Sequence, residues 1–195
     1  MAMRSADGRL GSMTKRPATY ADLEALPAHQ VGEIIGGVLY ASPRPALKHA
    51  RAASTLGTDL GGPFDRGRGG PGGWLILDEP ELHFGDDVLV PDLAGWTRER
   101  MPEMPDAPFM TLAPDWLSEV LSPSTAGFDR AEKLPIYARE RVTHVWLVDP
   151  LLQTVEVLRL DGASYRLVTT WRGDMSVRAE PFDAIELELG ALWAR

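Results

Sequence analysis

Apolar and polar positions alternate along this chain in short blocks, and the blocks change period several times. "GEIIGGVLYAS" holds two apolar runs on either side of Gly36-Gly37, a pattern that predicts a β-hairpin. Ahead of it, "TYADLEALP" predicts a short helix with Thr19 as N-cap and Pro27 as its stop. Behind it, "SPRPALKHARAASTLGTDL" has helical spacing, with Ala46, Ala50, Ala53, Leu56 and Leu60 on one stripe. "GGPFDRGRGGPGG" predicts a flexible loop, whose arginines can either touch a polyanion or sit solvated. From Trp74 strands dominate: "WLILDE", "ELHFG", "DVLVPDLAGW", a proline-rich crossing, then "DWLSEVLS". "FDRAEKLPIYARER" has helical character, with Pro135 either kinking the helix or marking its first turn. "THVWLVDP", "TVEVLRL" and "SYRLVTTW" predict consecutive strands with turns at Asp149-Pro150 and Asp161-Gly162, and "AIELELGALWAR" a strand and a short tail. The sum is an α/β (α+β) fold: a central mixed β-sheet carrying "VLVPD" and "LSEVLS", flanked by helices, with an N-terminal hairpin and helix. Residues 1–18 read as a loose lead-in and 19–195 as a single domain.

One position resists this pattern. In "LSEVLSPST" alternation puts Leu117, Glu119 and Leu121 on one face and Trp116, Ser118 and Val120 on the other, so Glu119 is a carboxylate inside an apolar strand. Burying it unpaired costs several kcal/mol, so it must meet water, a cation or a metal. Site and buried structural acid are both open readings of Glu119 on spacing alone.

Composition narrows the chemistry. A chain of 195 residues with 44% apolar and 25% charged residues suits one globular domain, and no apolar run reaches bilayer length. No secretory signal is evident, so a cytoplasmic location is the expectation. The absence of cysteine excludes thiolate ligands and cysteine nucleophiles, leaving oxygen or imidazole for any metal. A net charge of −8 argues against an extended nucleic-acid-coating surface but permits a local basic groove.

Asp92, after "VLVP", is a second acid at the end of a strand. Two acids on adjacent strands can chelate Mg²⁺ or Mn²⁺, which makes phosphodiester hydrolysis accessible, with a nearby ammonium to orient water or offset developing charge. Lys133 is the candidate for that ammonium; an i, i+4 ion pair with Asp129 on a solvated face is its equally open alternative.

At this point the residues resemble a family. "PDLAGW", "EVLSPSTAGFDRAEKLPIYA", "HVWLVDP" and the upstream "GEIIGGVLYASPRP" followed by His49 are similar to the Uma-type family of restriction-endonuclease-like proteins, which share the PD-(D/E)XK nuclease fold. The resemblance runs from about Tyr20 to about Leu189. It implies a metal site at Asp92 and Glu119, a contributory acid at Glu33, and catalysis by Glu33, Asp92, Glu119 and Lys133 with Mg²⁺ or Mn²⁺. The general nuclease pattern places a lysine two residues after the second acid, where this chain has Leu121; Lys133 would be its replacement. Two further departures are Gly36, where the family tends to have an acid, and Arg141, where it tends to have glycine.

Glu33 without the resemblance is an ordinary strand-end acid. His49 falls on the helical stripe that suits a core histidine, with contact to a phosphate or metal-bound water as its other role. Asp129 can cap the helix carrying Lys133, and Tyr137 can pack beneath the site or hydrogen-bond there. Trp74, Trp96, Trp116 and Trp146 read as core bulk. The leading functional expectation is a metal-dependent endonuclease acting on DNA as a homodimer. A nuclease-fold DNA-binding or interaction module without catalysis, and a glycosidase built on the Asp92/Glu119 pair, are the alternatives.

Overall fold

The computed structural model describes residues 16–194; residues 1–15, most of the expected lead-in, lie outside the described residues. The remaining lead-in residues are tied down, since the Ala18 N–H donates to the Gly37 carbonyl at 2.8 Å and Arg16 pairs with Asp22. Helix α1 (Tyr20–Glu24) starts at Thr19 with a capping box closed by Asp22. Strands β1 (Gln30–Ile35) and β2 (Val38–Pro43) form the expected hairpin, with Gly36 and Gly37 at φ 58° and 76° as a tight two-residue turn requires.

Helix α2 (Leu47–Leu60) buries Ala52, Leu56 and Leu60 and runs on into a π-helical turn, Gly61–Asp65. The expectation of loop over this glycine-rich stretch fails in its first half. Phe64 is buried among Trp74, Trp116 and Phe182, and that apolar anchor holds the wide turn in place.

Strands β3 (Trp74–Asp78), β4 (Leu82–Phe84), β5 (Asp87–Leu89), β6 (Leu93–Thr97) and β7 (Trp116–Val120) follow. Sequence alternation treats "DVLVPDLAGW" as one strand, and the structure corrects this. Pro91 has no N–H to give to a ladder, so the run splits: β5 joins a four-stranded sheet ordered β2-β1-β5-β4, and β6 joins the six-stranded sheet. A helical segment from Ala126 to Arg139 comes next: a short α3 (Ala126–Phe128), a π-helical turn (Asp129–Lys133) and α4 (Leu134–Arg139), with Pro135 in the first turn of α4. Strands β8 (His144–Asp149), β9 (Thr154–Asp161) and β10 (Ser164–Arg172) complete a sheet ordered β10-β9-β8-β7-β6-β3, mixed because only β7 and β8 are parallel. The expected C-terminal strand shrinks to β12 (Leu187–Glu188), paired with β11 (Ser176–Val177), before a helical turn α5 (Gly190–Trp193).

The six-stranded sheet is covered on both faces. Trp116 and Val120 face α2, α5 and the C-terminal segment, in a core with Trp146, Phe182 and Leu93. Leu117 and Leu121 face the four-stranded sheet and α4, in a core with Leu82, Leu89, Ile136 and Tyr137. Every residue of β7 is therefore buried, which is why Glu119 needs an explanation. Trp96, Trp116 and Trp146 are core as expected, and Trp74 is half-buried. No helix among the described residues is long and apolar enough to cross a membrane.

Gly95 of β6 lies between two indoles: a Cβ there would stand 3.2 Å from Trp74 and 3.3 Å from Trp116. Valine adds two methyl groups beyond that Cβ, so Gly95→Val should destabilise the fold by at least about 1–3 kcal/mol in urea unfolding. A variant as stable as wild type would mean the indoles are not close-packed.

Candidate active site

The site forms where the two sheets separate. Asp92 immediately precedes β6, and the antiparallel register pairs Leu93 with Ser118, so one residue further along Asp92 comes opposite Glu119. The break at Val90-Pro91 that redirects the chain between sheets thus also sets an acid at the strand end. Both oxygens of Asp92 are engaged: Oδ2 accepts from the Val120 N–H at 2.7 Å, and Oδ1 lies 2.5 Å from His49 Nε2. His49 sits in the first turn of α2, turned from solvent toward Asp92 rather than into the apolar core.

Glu33 reaches in from β1. Its Oε1 accepts from the Val90 N–H at 2.9 Å and from Lys133 Nζ at 2.8 Å. Lys133 also lies 3.2 Å from Glu119 Oε1 and 3.6 Å from Asp129 Oδ1. The reading of Lys133 as a solvated helix-face residue paired with Asp129 alone does not hold, because its side chain is 5% exposed and faces three carboxylates. Asp129 is likewise buried within the helical segment and makes no capping hydrogen bond there. Tyr137 is fully buried, and its hydroxyl donates to Glu119 Oε1 at 2.5 Å. The hydroxyl and the ammonium thus fall on one oxygen of Glu119, and Oε2 receives no hydrogen bond among the described residues.

The charges explain one another. Burial pushes the Glu119 carboxyl well above the usual carboxylate range; Lys133 opposes this, and Asp129, Asp92 and Glu33 add to it. Asp129 is raised by burial against the pull of Lys133. Burial alone would lower Lys133, but Glu119, Glu33 and Asp129 together outweigh it and hold the ammonium above its ordinary value. Tyr137 is also raised, first by burial and then by the nearby carboxylates.

Of the seven residues singled out from the sequence, Glu33, Glu119, Asp129, Lys133 and Tyr137 therefore meet in one network, and Asp92 with His49 forms a pair beside it, bonded to the main chain of Val120 next to Glu119. Sequence reasoning missed the main-chain donors Val90 and Val120, which no side-chain motif announces. It also missed Tyr40, which lies opposite Glu33 in the hairpin and packs on Phe128 with ring centroids 4.5 Å apart; the hairpin register is the signal that locates it. Leu121, at the position the general pattern gives to lysine, is buried in the core. Arg141 takes φ 66°, a conformation that suits the glycine usual there, and α4 still ends at Arg139.

The model of the Uma2 family, described as "Putative restriction endonuclease", matches residues 17–190. The chain belongs to this family. The Uma2 assignment agrees with a solved structure, a "putative nuclease belonging to DUF820" from Anabaena variabilis: identity is 25%, TM-score 0.72, with 91% of this chain and 98% of that one covered. No curated protein matches this Uma2 chain.

Lys133→Met would leave Glu119 and Asp129 buried without their cation. In chelator the variant should lose about 3–5 kcal/mol at neutral pH by chemical denaturation. Carboxyls whose pKa is raised on folding stabilise fully below their unfolded values, near 4, and lose that contribution as pH rises through the folded values. The deficit should therefore be smaller at about pH 5 than at about pH 8; a deficit that grows on acidification would contradict the charge network.

Proposed function

We propose that this protein is a metal-dependent endonuclease that hydrolyses phosphodiester bonds in DNA, with Glu33, Asp92, Glu119 and Lys133 as its catalytic set. One observation carries the reading: four carboxylates converge in a largely buried site around a single lysine and a histidine. A protein gains nothing in stability from such an excess of buried negative charge, whereas a cation-binding site needs it.

The donors suit a hard cation. Among the described residues no group of three or more His, Asp or Glu is placed to hold a metal ion, so the cation would rest on two carboxylates and water. Two carboxylates with open positions for water are what Mg²⁺ or Mn²⁺ commonly takes, and Asp92 and Glu119 are the pair that would hold it. When bound, such an ion polarises a phosphoryl oxygen and acidifies a water.

The chain's own groups do the rest. Tyr137 and Lys133 fix Glu119 through Oε1 and leave Oε2 free. The Val120 N–H and His49 orient Asp92, and Glu33 shares the ammonium of Lys133, which offsets charge developing on the attacked phosphate. A homodimer would present two such sites to the two strands of a duplex. A nuclease fold that binds DNA without cutting it has no use for acids that repel phosphate, which favours catalysis.

Glu119→Gln keeps the shape and both hydrogen bonds to Oε1 while removing one of the repelling charges. We expect it to abolish Mg²⁺- or Mn²⁺-dependent nicking of supercoiled plasmid and to leave the melting temperature in chelator unchanged or raised. Asp92→Asn should abolish nicking too. Nicking by wild type in chelator, or undiminished nicking by Glu119→Gln, would sink the assignment. A loss of about 1–3 kcal/mol in Glu119→Gln would make Glu119 a structural acid.

A further inference from the structure

The positive charge of this acidic protein is unevenly distributed. Between residues 44 and 68 the sequence holds five cations, Arg44, Lys48, Arg51, Arg66 and Arg68, against the acids Asp59 and Asp65, while the whole chain carries −8. Asp65 is already taken by Arg98, at 3.0 Å. Elsewhere the cations are largely spent on acids: Arg100 on Asp115, Arg130 on Glu156, Arg139 on Asp87 and Glu140, Arg159 on Glu180. Lys48, Arg51, Arg66 and Arg68 make no salt bridge and no side-chain hydrogen bond among the described residues, and all four are exposed. Leaving cations unpaired on an acidic protein keeps them available for an external anion.

Their placement is directional. Arg51, Ser54 and Thr58 follow i, i+3 and i+4 spacing along the outer face of α2, opposite the buried Ala52, Leu56 and Leu60, and Lys48 lies exposed at the flank one turn before Ala52. His49, one residue from Lys48, reaches Asp92. At its far end the face opens into a polar hollow of about 350 Å³ lined by Ser54, Gly57, Thr58, Gly61, Gly62, Arg66, Arg68 and Asp78. The loop that carries the two arginines is bonded back to the π-helical turn: Arg66 N–H to the Gly61 carbonyl at 3.0 Å, Arg68 N–H to Gly62 at 2.8 Å, Gly72 N–H to Pro63 at 2.9 Å. A Cβ at Gly61 would meet nothing within 4 Å, so main chain there is open to close approach. Asp78 is the one acid in the lining. From Lys48 to Thr58 the helix rises about 15 Å, over which one strand of a duplex passes about four or five phosphates.

We propose that the outer face of α2 and the hollow at its end form a backbone-binding track for duplex DNA, with Lys48 and Arg51 contacting phosphates near the cutting site and Arg66 and Arg68 contacting them farther along. The track reads no bases: guanidinium and ammonium groups match phosphate oxygens and supply affinity and register without sequence choice. It rests on the nuclease reading above and adds where the substrate lies.

The test is binding of a 20-base-pair DNA duplex in chelator, where no cutting occurs, to wild type, Arg66→Ala/Arg68→Ala, Lys48→Ala/Arg51→Ala, and Arg166→Ala/Arg172→Ala on β10 as a control of equal charge change. Melting temperatures establish that each variant is folded. Each track variant should weaken binding several-fold for all sequences and lower the slope of log affinity against log salt by about 2, since each phosphate contact contributes about 0.9. The control should leave both nearly unchanged. If wild type binds duplex while both track variants match it, or if the control loses as much as they do, the track is overturned and the nuclease reading stands. If wild type neither binds nor nicks DNA, both fall together.

Discussion

A buried ammonium among carboxylates is the interaction on which this structure turns. Lys133 sits between Glu33 from β1, Glu119 from β7 and Asp129 from its own helical segment, so one charge ties together the hairpin, the central strand and the crossover helix. Without it the acids could not remain buried as carboxylates; without the acids the lysine could not remain charged at 5% exposure. Each makes the other tolerable.

The second constraint is the break at Val90-Pro91. One proline ends β5 in one sheet, starts the chain toward another and leaves Asp92 at the boundary, while the Val90 N–H beside it is given to Glu33. Fold and site share this cause. The four-stranded sheet is then held over the six-stranded one by Ile35, Leu82 and Leu89 against Leu117 and Leu121, which fixes Glu33 relative to Glu119 from a distance.

Much of this was legible beforehand. The glycine pair specified a hairpin because only glycine readily takes both positive φ values, and strict alternation through "WLSEVL" placed Glu119 among its neighbours correctly on both faces. The resemblance then pointed to Glu33, Asp92, Glu119 and Lys133, which spacing alone left ambiguous, while His49, Asp129 and Tyr137 were candidates only through their positions. What stayed hidden depended on distant partners. Proline marks a break in "DVLVPDLAGW" but carries no information about which sheet each half will join. Gly61 to Asp65 reads as loop because its composition is loop-like, yet Phe64 finds an aromatic cluster assembled from Trp74, Trp116 and Phe182. His49 lies on an apolar stripe and is drawn out of it by Asp92, 43 residues away.

The parallel pairing of β7 with β8 has a consequence for how such a site receives its charge. Antiparallel neighbours can be joined by a tight turn, but parallel ones require the chain to travel back along the sheet, and here that return is made by the helical segment 126–139. A connection that topology makes compulsory is a dependable carrier for the ammonium. Lys133 is delivered from that segment to the buried carboxylates, and position 121, just past β7, is filled by leucine as core. A lysine at 121 would displace apolar packing with no such connection to carry it, so the charge reaches the buried acids by the route the topology already requires.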